Sequence, residues 1–252
     1  MPSLHDFIRL YDKSDCPNVY AAQVCRVVET QEVAATLQLV DDFDEQFLLE
    51  QLLDEVKPPY RAGSEHMHYL LKTPFRYPPL KYGSRFGSRQ VASFFYAGET
   101  LEPTLGEVAY YRFVFLSHMQ QAYAHSIKSQ HMSFNLKVSS EHCADLSLAD
   151  FAPVIQALTS PTSYHFSQTI GRWLSAEQGI NLIRYPSARI LGAMNVAIAQ
   201  PSVIVSKQPL NQQNWWCLTQ HDKVSFNQAG QGKPLSFYRD DFLVDGSLPL
   251  PA

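Results

Sequence analysis

The sequence has little charge and few cysteines. Only 17% of its 252 residues are charged, and its formal net charge is −4. This balance argues against a protein that binds nucleic acid through a basic surface. The four cysteines form no CxxC pair. We therefore expect reduced thiols, a cytoplasmic site of action and no zinc site.

Long apolar runs and several common motifs are also missing. No run reaches the roughly 18–20 apolar residues that a membrane span needs, and the first residues lack the basic region and apolar core of a secretory signal. We therefore expect no membrane partner. GxGxxG, GxxxxGK[ST] and GxSxG do not occur, which argues against a Rossmann fold, a P-loop enzyme and a nucleophile elbow. The nine histidines have no acidic or cysteine ligand at a recognisable spacing, so we predict no metal site.

Residues 1–57 are predicted to form a helical N-terminal extension. The stretch DDFDEQFLLEQLLDEVK at 41–57 places apolar residues on one helical stripe, namely Phe43, Phe47, Leu48, Leu52 and Val56. A second apolar helical spacing covers 33–39, and Pro58-Pro59 ends the extension. We interpret the acidic residues as the solvated face of a packed helix. A docking surface for a partner is the alternative.

Residues 58–252 are predicted to form one α+β domain. Short β-like runs occur at 60–61, 92–96, 133–138, 180–185, 195–199, 203–206 and 215–219. Helices are predicted from about 100 to 118, from 148 to 158 and from 164 to 177. Because strands and helices do not alternate regularly, mixed or antiparallel sheets with flanking helices are favoured over a doubly wound parallel sheet.

Two arginines and a tyrosine have the chemistry of a nucleotide site. Arg85 lies in Gly83-Ser84-Arg85-Phe86-Gly87, where glycines permit close approach of a ligand to the backbone, and Arg61 follows Tyr60. An arginine presents a planar fork of donors that matches phosphate oxygens. Tyr96 ends a predicted strand, where its ring can stack on a planar ligand. Each arginine taken alone is more typical of a surface side chain.

Glu107 and Ser187 complete the set of candidate residues. Glu107 lies on a predicted helix among apolar residues, where burial of a carboxylate is costly unless it has a partner or a task. A carboxylate beside a sugar stabilises an oxocarbenium-like transition state. Ser187 follows Pro186 at the predicted end of a strand, and a turn-capping role is the simpler interpretation for it.

Taken in order, these residues resemble the RES domain family. Its pattern appears here as Tyr60-Arg61, Gly83-Ser84-Arg85-Phe86-Gly87, Tyr96-Ala97, Gly106-Glu107 and Tyr185-Pro186-Ser187. The resemblance covers about residues 58 to 207. It implies an ADP-ribosyltransferase-like fold and an enzyme that consumes NAD as its substrate, with no cofactor. Many members are toxins of bacterial toxin–antitoxin systems.

The resemblance also implies roles and partners. Arg85 would hold the phosphates or ribose of NAD with help from Arg61, and Tyr96 would pack against the nicotinamide–ribose end. Glu107 would stabilise the ribosyl cation, and Ser187 would orient the substrate. The enzyme would be an NAD glycohydrolase or NAD phosphorylase, with water or phosphate as acceptor. The expected protein partner is an antitoxin or immunity protein that covers the active site, and a homodimer is the base-rate expectation for assembly.

Departures from the family pattern leave alternatives open. The segment after Ser187 commonly carries an asparagine and then Asn-Pro in the family, but here Asn195 is followed by Gln200-Pro201. The acceptor is therefore undecided between water, phosphate and protein. Transfer of ADP-ribose to a protein is one alternative. A non-catalytic α+β domain that binds a nucleotide or a protein is the other.

Overall fold

The computed structural model describes residues 2–30, 39–79, 81–120, 125–228 and 232–250. Its α-helices are α1 (Leu4–Tyr11), α2 (Phe43–Glu55), α3 (Tyr69–Arg76), α4 (Leu101–Ser117), α5 (Ile155–Leu158) and α6 (His165–Arg172). Its strands are β1 (Asn18–Glu29), β2 (Phe95–Gly98), β3 (Ile127–Asp145), β4 (Leu182–Pro186), β5 (Met194–Ile198), β6 (Leu210–Thr219), β7 (Lys223–Gln228) and β8 (Leu235–Tyr238). Turns of 3-10 helix cover Ala149–Val154, Pro201–Val203 and Arg239–Phe242, and a π-helical turn, Trp173–Glu177, continues α6.

The described strands form one mixed sheet, part of which closes on itself. The order is β1-β2-β5-β4-β3-β6-β7-β8, and β1 also pairs with β3. Five strands, β1 to β5, therefore make a ring, from which β6, β7 and β8 continue as an antiparallel extension. The ring depends mainly on the long antiparallel pairing of β1 with β3, from Asn18–Cys143 to Glu29–His131. Only Cys25–Gly98 joins β1 to β2.

Three clusters of buried side chains hold the elements together. The first fills the ring with residues from β1 to β5, such as Phe95 and Leu136, and is covered by α3 through Leu71 and Phe75. The second packs α1 and α6 against the opposite faces of β4 and β5. The third packs α4 on β6 and β7. Because α4 also contacts β1 and β2, it lies across the junction between the ring and its extension.

The first 57 residues are not wholly helical. They contain α1 and α2, but they also contain β1, a 12-residue strand that the sequence analysis missed. Of the apolar segment predicted at 33–39, positions 33–38 lie outside the described residues. Two of the predicted strands are wrong: 60–61 is irregular, and 203–206 begins in a 3-10 turn with a single bridge from Ile204 to Val138. The α+β class is confirmed by the mixed sheet and its flanking helices.

The apolar stripe of α2 is not packed, contrary to the interpretation from the sequence. None of the residues of α2 is buried. Phe43 and Phe47 are 80% and 65% exposed, and Leu48 and Leu52 are also more than half exposed. The helix is bounded by an Asp42 side chain that caps its first turn and by the irregular residues from Lys57 onward. Among the described residues no surface covers the apolar stripe of α2, and the Asp42 cap is a local interaction that supports the helix.

None of the helices in the described part of the chain has both the length and the apolarity of a membrane span.

Candidate active site

A cleft of about 450 Å³ runs along one face of α4. Residues of α4 from Pro103 to Phe115 line it, and their alternating steps of one and three positions place them on one helix face. These two positions are about 18 Å apart along the axis at 1.5 Å per residue. The other walls come from the loop at 83–87, β1, β2, β3 and the turn after β4. The cleft is therefore elongated and is formed by elements that are distant in sequence.

The loop at 83–87 delivers Arg85 to the cleft. Gly83 has a φ of +71°, and a Cβ there would lie 2.3 Å from the carbonyl oxygen of Gly87, so a larger residue would break the tight turn. Arg85 Nη1 donates to the carbonyl oxygens of Leu158 and Ser160 at 3.0 and 3.1 Å. Its guanidinium lies 4.9 Å from the ring centroid of Tyr164. These contacts fix a buried cation on the cleft wall.

Tyr96 also lines the cleft, but its hydroxyl is bound to the arginine loop. The hydroxyl lies 2.8 Å from Ser84 Oγ and accepts a hydrogen bond from the backbone N–H of Phe86 at 3.1 Å. Burial raises the pKa of Tyr96 to about 12, so the phenol is neutral at physiological pH. Tyr96 therefore supplies a ring to the cleft and holds the loop that carries Arg85.

Glu107 lies on the cleft face of α4 and is accessible. Its side chain is 41% exposed, so the cost of burial expected from the sequence does not arise. The preceding residue, Gly106, allows a close approach of the turn after β4, because a Cβ there would lie 2.7 Å from Ile190 Cδ1. Glu107 is thus an open carboxylate in the same cleft as Arg85 and Tyr96.

The sequence analysis did not single out Arg189, the nearest cation to Glu107. Arg189 Nε lies 3.9 Å from Glu107 Oε2, and the Arg189 side chain is only 2% exposed. Its guanidinium carbon stacks 3.6 Å from the ring centroid of Tyr110. Within the described ranges, Arg189 Nε and Nη2 have no hydrogen-bond partner. A buried guanidinium with two free donors is unusual, because unpaired buried charge is costly.

The other two predicted residues, Arg61 and Ser187, are not on the cleft lining. Arg61 donates to the carbonyl oxygen of Ser93 and to Gln200 Oε1, both at 3.4 Å, and burial lowers its pKa. Ser187 Oγ accepts hydrogen bonds from the backbone N–H groups of Arg189 and Ile190 at 3.2 and 3.1 Å. Ser187 caps the turn after β4, as the simpler interpretation held, and its neighbour Ala188 reaches the cleft.

Strand β1 places a further arginine in the cleft, which the sequence analysis missed. Arg26 Nη1 donates to the carbonyl oxygen of Tyr96 at 3.0 Å, and its guanidinium carbon lies 4.5 Å from the ring centroid of Phe95. Burial lowers the pKa of Arg26 to about 10, and its Nε has no hydrogen-bond partner in the described part of the chain. No signal local to the sequence identified it, because its position depends on the pairing of β1 with β3.

The far end of the cleft contains Arg112, Glu29 and His131. Both terminal nitrogens of Arg112 lie 3.4 Å from the Glu29 carboxylate oxygens. Burial lowers the pKa of His131 to about 4, so this imidazole is neutral at pH 7. Among the described lining residues there are three arginines and two glutamates. In this part of the chain no group of three or more His, Cys, Asp or Glu side chains is arranged to hold a metal ion.

Comparison with known proteins gives one family and a distant structural similarity. No curated protein matches the chain. A crystal structure of the Mycobacterium tuberculosis MbcT-MbcA toxin–antitoxin complex contains a chain with 9% identity and a TM-score of 0.48; the match covers 82% of this chain and 90% of that one. The model of the RES domain matches residues 58–220, which is more than half of the sequence, and the protein therefore belongs to the RES domain family.

Proposed function

We propose that this protein is an NAD-consuming enzyme that cleaves the bond between nicotinamide and ribose and passes the ADP-ribosyl group to water or phosphate. The observation that carries the proposal is the presence of Arg85, Tyr96 and Glu107 on one elongated cleft. These three residues come from a loop, a strand and a helix. Family membership adds to the case, because the RES pattern contains these residue types in this order.

The cleft has the features that a dinucleotide requires. NAD carries two phosphates, two riboses and two planar rings. Arginine forks bind phosphate oxygens, and aromatic faces bind planar rings. The cleft supplies Arg85 and Arg26 for the first purpose, and Tyr96 for the second. Its length along α4, about 18 Å, suits an extended ligand.

The assisting role that the resemblance implied for Arg61 is better filled by Arg26. Arg61 uses its terminal nitrogens on Ser93 and Gln200, away from the cleft lining. Arg26 lies on the lining next to Tyr96, and burial lowers its pKa. An anion beside Arg26 would compensate its desolvation. We assign Arg26 to binding of the phosphates of NAD.

The bond cleavage needs a negative charge near the ribosyl carbon, which Glu107 provides. The bond between C1′ and the pyridinium nitrogen breaks, and its electron pair leaves with nicotinamide, which becomes neutral. The ribosyl carbon becomes cationic and is captured by water, which releases a proton and gives ADP-ribose, or by phosphate, which gives the ribosyl phosphate. Because the leaving group is cationic in NAD, no cofactor or metal is needed to draw the electron pair away.

We further propose that the enzyme acts as a toxin in the cytoplasm and is neutralised by an antitoxin or immunity protein that covers the cleft. Depletion of NAD would harm any cell that contains the free enzyme. The exposed apolar stripe of α2, flanked by acidic residues, is a second surface that fits a protein partner. Co-expression with the product of an adjacent gene, followed by measurement of NAD cleavage, tests this part of the proposal.

The main experiment incubates the purified protein with NAD in buffers with and without phosphate and separates nicotinamide and its co-product. If nicotinamide is released at the same rate in both buffers and ADP-ribose forms, the enzyme is a glycohydrolase. Release that depends on phosphate identifies a phosphorylase. If labelled ADP-ribose becomes attached to protein, the activity is protein ADP-ribosylation, and the glycohydrolase and phosphorylase assignments are both wrong. No release under either condition would leave a non-catalytic binding domain and would refute the proposal.

A further inference from the structure

The turn after β4 connects Ser187, Arg189 and Glu107. Ser187 Oγ accepts the backbone N–H groups of Arg189 and Ile190. Ile190 then packs on α4 at Gly106, where a Cβ would lie 2.7 Å from Ile190 Cδ1. In this turn the Arg189 guanidinium lies against the ring of Tyr110, and its Nε lies 3.9 Å from Glu107 Oε2.

The surroundings of Arg189 indicate that it acts on Glu107. Its side chain is almost completely buried, and within the described residues its one ion pair is with Glu107. One face of the guanidinium is held by the ring of Tyr110, which leaves the donors at its edge to point elsewhere. In the described part of the chain, Nε and Nη2 have no hydrogen-bond acceptor. The desolvated cation therefore interacts with the nearest anion, the half-exposed carboxylate of Glu107.

We infer that Arg189 is a positioning residue that holds the Glu107 carboxylate at the cleft wall, and that Ser187 acts on catalysis through Arg189 by fixing the turn on which it lies. This inference rests on the proposed function and assigns an indirect task to Ser187. An exposed glutamate on a helix surface samples several rotamers. A fixed cation below it restricts the carboxylate to the side of the helix that faces Arg85 and Tyr96.

The contact distance explains why this is a restraint and not a closed ion pair. At 3.9 Å the Nε and Oε2 atoms are beyond hydrogen-bond distance. The carboxylate is attracted to Arg189 but keeps its lone pairs for the cationic carbon of the substrate. A closed, bidentate pair would satisfy Arg189 and would reduce the negative potential that the ribosyl cation experiences.

The test is a double-mutant cycle on nicotinamide release. Arg189→Gln is expected to lower kcat on the order of 10- to 100-fold with little change in KM, since misplacement of a reacting group by about 1 Å can cost that much. In the Glu107→Gln background, Arg189→Gln should have no further effect on kcat, because the group that it positions is absent. Arg172→Gln, an exposed arginine outside the cleft lining, is the control and should keep wild-type turnover.

Two further variants keep the test independent of folding. Arg189→Lys retains the cation and should recover part of the lost kcat. Ser187→Ala should lower kcat in the wild type but not in Arg189→Gln. If the kcat losses of Arg189→Gln and Glu107→Gln multiply in the double variant, or if Arg189→Gln alone keeps full turnover, the inference is overturned.

A measurement without substrate separates this inference from the proposed function. If the wild-type protein releases no nicotinamide, the proposed function fails, but the same cycle can be measured on the free energy of unfolding. Coupling between Arg189 and Glu107 in that cycle supports the restraint by itself. Strict additivity of the two substitutions there refutes it.

Discussion

Replacement of Glu107 by glutamine tests the proposed chemistry most directly. The substitution keeps the size and hydrogen bonding of the side chain but removes its charge. A carboxylate about 3.5 Å from a cationic carbon stabilises it by about 1 kcal/mol in water and about 5 kcal/mol at an effective dielectric constant of 20. Because Glu107 is 41% exposed, we take a value between these limits, about 3 kcal/mol. We therefore expect nicotinamide release to slow by roughly 100-fold.

The assay compares initial rates of nicotinamide release from saturating NAD for the wild type, Glu107→Gln and Glu102→Gln. Glu102 lies in the first turn of the same helix, is exposed and is not on the cleft lining. It controls for the effect of charge on α4 in general, and we expect its variant to keep the wild-type rate. All three proteins should unfold cooperatively, and Glu107→Gln should be somewhat less stable than the other two because it loses the attraction to the buried Arg189. A Glu107→Gln rate within a factor of three of wild type would show that this carboxylate does not stabilise the ribosyl cation.

Three further predictions concern the cleft and the elements that support it. Arg26→Gln should weaken binding of NAD by about 10- to 100-fold through loss of a charged hydrogen bond, whereas Arg61→Gln should change the affinity for NAD less than about threefold. Calorimetric titration with NAD measures both affinities. A larger loss of affinity in Arg61→Gln than in Arg26→Gln would return the assisting role to Arg61. Gly171→Ala should lower the melting temperature by several degrees, because the new Cβ would lie 2.2 Å from the carbonyl oxygen of Phe86 and overpacking costs about 1–3 kcal/mol; an unchanged melting temperature would contradict this contact. The folded-state pKa of His131 is lowered to about 4, so below about pH 6.5 the unfolded chain binds a proton that the native state excludes. Stability is therefore highest above that pH and falls by up to about 3 kcal/mol towards pH 4. Urea unfolding at pH 7 and pH 4.5 should show a smaller loss of stability in His131→Gln than in the wild type, and an equal loss would be evidence against a neutral buried imidazole.

The local part of the site could be predicted from the sequence. Glycines on both sides of Arg85 signal a tight loop, and Pro103 in a position suited to a first helical turn signals a helix, which the structure places at Leu101–Ser117. Both signals depend only on neighbours in the chain. The order of residue types then identified the family, and the structure brings Arg85, Tyr96 and Glu107 to one cleft. Their catalytic roles stay predictions that the experiments above address.

The long-range part of the site could not be predicted in this way. Arg26 reaches the cleft because β1 pairs with β3 over a separation of more than a hundred residues, with Arg26 opposite Phe134. Such a register depends on side-chain packing within the ring and leaves no local pattern. A Tyr-Arg pair at 60–61 was the more visible candidate for the same task, although the structure bonds Arg61 to Ser93 and Gln200.

The prediction for α2 failed for a different reason. Amphipathic spacing predicts that a helix has an apolar face, but it does not specify the surface that covers this face. The usual inference, that the core of the same chain covers it, holds for α4, where Phe113 is buried against the sheet extension. It does not hold for α2, where Phe43 and Val56 are about 80% exposed.

The closure of the ring by β1 has a practical consequence for anyone who prepares shorter versions of this protein. A fragment limited to the family match, residues 58–220, would lack the strand that borders β3 from His131 to Cys143. The unpaired amide and carbonyl groups along that border would be free to recruit a strand from another molecule. Such a fragment is expected to aggregate during purification, and useful shortened versions should begin before Asn18.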